Sequence, residues 1–425
     1  MFLNMHEHTQ RTLCRLCFVA LCAMPTAALL GWAGWLSSSG HLVGCEQQLA
    51  GRLGLSVRAD RVEHPRPGQV RLHSVVLTDP ETQEKVATIP RLEVSVGGRG
   101  TVVRLTEPRV VAVALAGLWT RLSQQLAAAH SPLRLEANSL EWQGRTANYT
   151  LNELSAGLSF ADKLGQAYLA FKLDMPAAQP VRMRVVRDRG QVPPLVNWEL
   201  QSPETAVPCA LAWPWLDVPS WLGDASRFRG TLRSQQTAAG VRTEVVGQFV
   251  EVDLRQLVSA HFPHHLSGLA ELQVHSARLV DGRVESISAA AVGGPGQVSR
   301  SLLAGGWEML EMPGSPLPPA AVDRIAYQRL ALALLLDARG LVIEGRCSKE
   351  RPDAVLVDAH RVLLNRPARP QSAASLVRLL CPPSTHVVPH GREAEGLLRV
   401  LPLPTPTPGA TVNTAVSSNS AGSAH

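Results

Sequence analysis

Leu55-Ser56-Val57-Arg58-Ala59-Asp60 places an apolar residue at every second position, with polar or charged residues between. Period two is the spacing of a half-buried strand, because successive side chains leave a strand on opposite faces. The pattern repeats onward. After the turn residues His64-Pro65-Arg66-Pro67-Gly68, Val70 and Leu72 share a face. Asp79-Pro80-Glu81-Thr82 is a turn, with Pro setting φ and Asp capping locally. Leu92, Val94 and Val96 form the next alternating strand, closed by Gly97-Gly98-Arg99-Gly100. Behind Glu107-Pro108, the run from Arg109 to Leu115 is apolar on both faces and reads as a buried strand. Ala116 to Ala129 changes to helical spacing, with Leu118, Leu122 and Leu126 opposite Arg121, Gln124 and Gln125. Leu133, Leu135 and Ala137, then Leu140 and Trp142, return to period two, and Tyr149, Leu151, Tyr168, Phe171 and Leu173 continue the sheet.

Further along, Pro203 to Trp221 reads as a Pro-rich loop that pins Trp213, Trp215 and Trp221 into a core; the alternative is that these rings seat at a membrane interface. Strands follow near Phe228 to Ser234 and Val241 to Val250, then a short helix capped by Asp253. Leu269, Leu272 and Val274 lead into Val280-Asp281-Gly282-Arg283, a two-residue hairpin signal. Similar turn chemistry at Leu336-Asp337-Ala338-Arg339-Gly340 and at Val357-Asp358-Ala359-His360-Arg361 predicts stacked hairpins or meanders. Pro313 to Pro319 divides these last hairpins from what precedes. After Pro382 the Pro, Thr, Ser and Ala bias has no aromatic residue to build a core, and a disordered tail is expected.

Working back from Leu55, His41 to Leu53 reads as a short amphipathic helix with Leu42, Leu49 and Leu53 on one side. Before it, Leu16 to Leu36 carries no charge, and about 20 apolar residues are what a hydrocarbon core requires. Arg11 and Arg15 precede this run and Glu46 is the first charge after it, so the positive-inside bias puts the N-terminus in the cytoplasm and the rest outside. Trp32 and Trp35 suit the outer aromatic belt. Two alternatives stay open: a cleaved signal peptide, which calls for a shorter apolar run, and lipidation at Cys45, since Leu42-Val43-Gly44-Cys45 matches the bacterial lipoprotein cleavage motif.

Gly 33 and Pro 31 in 425 residues exceed what long helices tolerate. Lys85, Lys163, Lys172 and Lys349 are the only lysines, so the net charge of +6 is carried by arginine. These arginines alternate singly with apolar residues, as in Val181-Arg182-Met183-Arg184-Val185, which reads as a solvated strand face rather than the clustered basic stripe of a nucleic-acid binder.

An N-terminal anchor, a short helix ending in Leu49-Ala50-Gly51-Arg52-Leu53-Gly54-Leu55-Ser56-Val57, then Pro67-Gly68-Gln69-Val70-Arg71-Leu72, Leu77-Thr78-Asp79-Pro80 and Ile89-Pro90-Arg91-Leu92-Glu93-Val94, with a later strand and loop from Leu135 to Glu153, resemble the opening of the AsmA-like superfamily over about residues 16–175. The chain is shorter than the long bridge-like members. The resemblance implies an elongated, open β groove and a role in envelope lipid homeostasis or transport, and it brings no catalytic residues. With the arginine-dominated composition it favours a bacterial source, in which the glycosylation pattern Asn148-Tyr149-Thr150 has no bearing.

Sequence spacings that chemistry demands are not found. No Gly-rich loop is followed by Lys-Ser or Lys-Thr, and Gly97–Gly100 and Gly293-Gly294-Pro295-Gly296 have turn rather than dinucleotide spacing. Nucleophile-elbow and two-histidine zinc-protease patterns do not occur. His261, His264, His265 and His275 are the best metal candidate, but Pro263 interrupts the helix that would align them and no acidic or thiolate ligand adjoins. His360 and His386 are isolated, Cys14-x-x-Cys17 sits at a membrane edge without partners, and Cys45, Cys209, Cys347 and Cys381 imply no disulfide framework. Scattered carboxylates such as Glu141, Glu153 and Asp162 leave an envelope hydrolase to tertiary structure.

The expectation is therefore a mainly β protein with a few short helices and a single N-terminal transmembrane helix, leading into an elongated open or stacked β-sheet, groove-like in form. Its divisions are 1–41 stub and anchor, 42–180 AsmA-like β unit, 181–312 second β unit, 320–381 hairpin unit and 382–425 tail. It is expected to lie in the bacterial inner membrane with its bulk periplasmic, to shield or transfer lipid without catalysis, and to use no catalytic, cofactor-binding or metal residues and no cofactor. Membrane lipid and other envelope proteins are its expected partners, with no nucleic acid; the alternative is a periplasmic structural or interaction scaffold.

Overall fold

The computed structural model describes residues 7–36, 38–98, 100–112, 114, 132–144, 147–173, 179–192, 194–211, 220–237, 240–316, 319, 322–381, 396–397 and 399–402. It is mainly β, with one large sheet and an apolar helix at its N-terminus. The helical segment Arg11–Leu36 has 26 residues, long and apolar enough to cross a membrane, and its apolar window is not buried by the rest of the chain. At 1.5 Å per residue it measures about 39 Å, against a hydrocarbon core of about 30 Å. Its hydrogen bonding slips to a π turn over Val19–Ala23, where the Met24 N–H donates to the Val19 carbonyl. The next residue is Pro25, which has no N–H to continue the α ladder, and a π turn absorbs that loss.

A second helix, Ser39–Leu53, starts where the Ser38 hydroxyl accepts the His41 N–H and ends at Gly54 in the left-handed region. Leu42, Leu49, Ala50 and Leu53 pack it against Val57, Leu72, Val75, Ile89 and Leu92. Glu46 Oε1 accepts the Ala59 N–H at 2.7 Å, tying the helix to the edge of the sheet.

The sheet begins with β1 (Ser56–Arg58) and β2 (Arg61–Glu63), which share one edge of β3 (Gln69–Thr78). β4 (Lys85–Gly97) follows, and its far edge is shared by β5 (Gly100–Thr106) and β6 (Arg109–Val111). Both run parallel to β7 (Leu133–Gln143). From β7 the chain is an antiparallel meander through β8 (Asn148–Ala161), β9 (Leu164–Leu173), β10 (Val181–Asp188), β11 (Leu195–Pro208), β12 (Arg227–Thr237), β13 (Gly240–Asp253), β14 (Leu269–Val280) and β15 (Arg283–Gly293). β16 (Gly296–Ser299) and β17 (Arg324–Tyr327) pair with each other outside the sheet. β18 (Arg329–Asp337) then returns to β15 and carries β19 (Gly340–Gly345) and β20 (Ala354–Val357), and β20 carries β21 (Val362–Asn365).

The β units drawn at 42–180, 181–312 and 320–381 are thus joined edge to edge, through β9–β10 and through β15–β18. The strand expected from Arg109 to Leu115 stops at Val111, and Ala112 and Ala114 are helical. A parallel partner such as β7 needs a crossover connection, so the chain leaves the sheet here. The helix expected at Ala116–Ala129 lies outside the described residues. The loop expected from Pro203 begins later, because β11 runs to Pro208; its register shifts between Ser202 and Val207, where Pro203 needs no ladder hydrogen bond. Asp281 and Gly282 both have positive φ, 51° and 76°, which is the primed turn that suits the twist of a hairpin. Most of the tail expected after Pro382 lies outside the described residues, but Leu401 packs against the C-terminal core. That core collects Leu303 and Leu310 of the Arg300–Leu310 helix, Leu336, Leu341 and Leu364 of the sheet, and Leu379 of the Ala373–Leu380 helix.

Candidate functional site

Strand register joins the period-two pattern of separate strands into one surface. Val70, Val94, Val103, Leu135, Ala156, Leu169, Met183, Leu200, Leu232, Val245, Ala277, Ile287, Leu336 and Leu341 are consecutive cross-strand partners, an unbroken apolar row of fourteen side chains on one face of the sheet. Directly paired residues share a face, so every member points the same way. With strands about 4.8 Å apart, the row follows a contour of about 60 Å.

The opposite face carries rows of alternating charge. Glu63, Arg71, Glu93, Arg104 and Glu136 are consecutive partners, and so are Arg184, Glu199, Arg233, Glu244 and Arg278. Arg71 Nε lies 2.8 Å from Glu93 Oε1, Arg104 Nε 3.2 Å from Glu136 Oε2, and Arg233 Nε 2.6 Å from Glu199 Oε1. Hydrogen bonds from Gln201 and Arg233 hold the Glu199 carboxyl below the usual carboxylate range. Opposite charges directly across strands stabilise the pairing, and the charged face stays wetted.

Along the apolar row the cover changes. Val70, Val94 and Val103 pack into the cluster under the Ser39–Leu53 helix. Ala277, Leu336 and Leu341 are buried. Between them Leu135, Ala156, Leu169, Met183, Leu200, Leu232 and Val245 are half-buried, Leu135, Leu169 and Leu200 packing against the buried cluster around Leu151, Phe171 and Val181, and Val245 against Val274 and Ala277. These seven residues span about 29 Å across β7–β13, whereas the acyl chains of one leaflet occupy about 15 Å of a bilayer. Within this stretch Gly230 faces Gly247, and the Phe228 ring folds over both and meets Phe249 at 4.8 Å between centroids. A Cβ on Gly247 would collide with the Arg229 carbonyl and crowd the Phe228 ring.

The four histidines of the metal candidate are dispersed into separate roles. His264 is buried: its Nε2 lies 2.7 Å from the Leu379 carbonyl, which can only accept, so Nε2 carries a proton, and Nδ1 lies 3.0 Å from Ser301 Oγ. The His261 ring meets Trp221 at a tilt, 5.0 Å between centroids. His275 is exposed at a register shift in β14. His265 lines an open cavity with Arg255 and Arg324. Among the described residues no group of three or more His, Cys, Asp or Glu is placed to hold a metal ion. Trp213, Trp215 and His386 lie outside the described residues.

At the junction of the apolar helix and the sheet, His41 Nε2 lies 2.8 Å from His64 Nε2, and the His41 ring sits tilted between Trp35 and His64. Burial, then the neighbouring His64, lowers the His41 pKa. Cys45, one helical turn from His41, is half-buried, and burial and then Glu46 push its thiol up. Cys14 and Cys17 are exposed on the apolar helix.

Sequence reading missed the row as a continuous object, because register across fourteen strands is not encoded in any one of them. It also missed that Arg255 and Arg324 line one cavity. The chain was compared with family models, curated proteins and solved structures, and nothing matches.

Proposed function

We propose that the protein is a membrane-anchored envelope protein of AsmA-like type, whose half-buried apolar row shields lipid acyl chains from water without bond chemistry. The observation that carries this reading is the continuous apolar row, half-buried over β7–β13, with the alternating Arg and Glu of the Arg184–Arg278 row on the opposite face. Each methylene moved from water onto such a surface contributes about 0.8 kcal/mol, so an acyl chain has ample driving force to lie along it. The anchor supports the same reading, since the row starts beside the helix that follows the apolar segment. In this reading Arg11 and Arg15 hold the N-terminus in the cytoplasm, and the sheet is periplasmic.

The test is photo-crosslinking in living bacterial cells from a probe residue at Leu169, Met183 or Leu200, with Arg184 and Glu199 on the charged face as controls. Lipid adducts from the first three alone are expected. The reading fails if none of the three yields lipid, or if the controls yield as much. The scaffold reading draws on the C-terminal end, where the same row is dry, and it predicts crosslinks to protein instead.

A further inference from the structure

A cavity of about 750 Å³ opens between the turn Arg255–Ser259 and the β16–β17 pair, lined by Arg255, Gln256, His265, Ser267, Gln297 and Arg324 among others. Its charge is unlike that of the sheet. On the charged face, Arg71, Arg104, Arg233 and Arg278 each meet a carboxylate. In the cavity neither Arg255 nor Arg324 makes a side-chain ion pair among the described residues. Both guanidiniums nonetheless sit close enough to the His265 ring to depress its protonation, after burial, with Asp323 acting weakly against them. Both arginines are solvent-exposed along its wall, and a concave wall concentrates their field.

The floor of the cavity is preformed. His265 exchanges hydrogen bonds with Ser299: its N–H donates to Ser299 Oγ at 3.1 Å, and its carbonyl accepts the Ser299 N–H at 2.7 Å. Tyr327 Oη donates to the Ser267 carbonyl at 2.6 Å, and Ser267 N–H donates to the Gln297 carbonyl at 2.9 Å. Ser267 Oγ accepts the Gln297 N–H at 3.1 Å, which leaves its own hydrogen available to a ligand. The amides of Gln256 and Gln297 add further donors. Two planar guanidiniums and several neutral donors around one hollow match the oxygens of a tetrahedral oxyanion.

We propose that this cavity binds a phosphate-class anion between Arg255 and Arg324, either as the free ion or as the phosphate of a lipid headgroup. This inference stands apart from the acyl-chain reading, because none of the cavity residues named here belongs to the apolar row.

The experiment is calorimetric titration of the full chain in a non-ionic detergent, with inorganic phosphate in one arm and short-chain dihexanoyl phosphatidylglycerol in the other. Saturable binding is expected in at least one arm, weakened about tenfold or more by Arg255→Gln or Arg324→Gln and unchanged by Arg283→Gln on a distant hairpin turn. Binding of phosphate alone identifies the free ion, binding of the phospholipid alone identifies a headgroup, and binding of both identifies a site that reads the phosphate itself. Absence of saturable binding in both arms overturns the proposal, as does equal affinity in the Arg255→Gln/Arg324→Gln variant or equal weakening by Arg283→Gln. The single variants keep the test intact if the double variant fails to fold.

Discussion

The half-buried stretch over β7–β13 and the C-terminal end at β14–β19 are built on the same apolar row, yet they are covered to different degrees. At Leu336 and Leu341 the side chains are 4% and 3% exposed. The Arg300–Leu310 and Ala373–Leu380 helices contribute Leu303, Leu310 and Leu379 to the core around them. At Leu169, Met183 and Leu200 the side chains are only half-buried. An alternating strand supplies an apolar face, but whether that face becomes a core or a surface depends on what else the chain folds over it.

The sharpest way to break the comparison is to place a charge on each side of it. Leu336→Asp buries a carboxylate without a partner and should cost several kcal/mol, enough to unfold the C-terminal end. Leu200→Asp, at a half-buried position beside the cluster around Leu151 and Phe171, should lower stability by clearly less than Leu336→Asp while abolishing lipid crosslinking from Met183. Equal destabilisation by the two would mean that the row is dry throughout. Alanine sharpens the contrast at smaller cost: about 3 kcal/mol for Leu336→Ala and about 1 kcal/mol for Leu169→Ala, read from denaturant unfolding.

A third prediction uses Tyr327, 2% exposed within the covered end. Burial pushes its phenol up to about 12. A raised pKa contributes stability that is present below the unfolded value of about 10 and lost as pH rises toward the folded one. Unfolding at pH 9 and pH 11 should therefore show a drop in the wild type that Tyr327→Phe lacks. The variant itself should lose about 1 kcal/mol at neutral pH with the hydrogen bond to Ser267. The smallest effect belongs to the charged face of the half-buried stretch. The Glu199 carboxyl is held below its ordinary range by Gln201 and Arg233. Its contribution is present above about pH 4.3 and lost as pH falls through the folded value. Because the pair is partly exposed, Glu199→Gln should cost under about 1 kcal/mol and flatten the acid limb of stability only slightly.

Local chemistry was readable without coordinates wherever a few neighbouring residues set the outcome. The charge-free run from Leu16 to Leu36, the alternation at Leu55–Asp60 and the turns at Asp281-Gly282, Asp337–Gly340 and Asp358–Arg361 are of this kind: strand pleat and turn φ act over one to a few residues, and hydrocarbon thickness over one contiguous run. The boundary drawn at Pro313–Pro319 shows the limit. The prolines there do follow the end of the Arg300–Leu310 helix, but β18 beyond them pairs with β15 before them, and that long-range pairing has no signature in either segment alone.

The sequence by itself determined that this is a β-rich chain with one N-terminal apolar helix, because period and turn chemistry are local properties of the backbone. Only the tertiary structure decided that fourteen separate apolar positions form one row, that its middle is left half-buried, and that Arg255 and Arg324, far apart along the chain, share a cavity. Cross-strand register and helix cover depend on contacts between distant segments, and identical alternation serves a dry core and a half-covered face equally well.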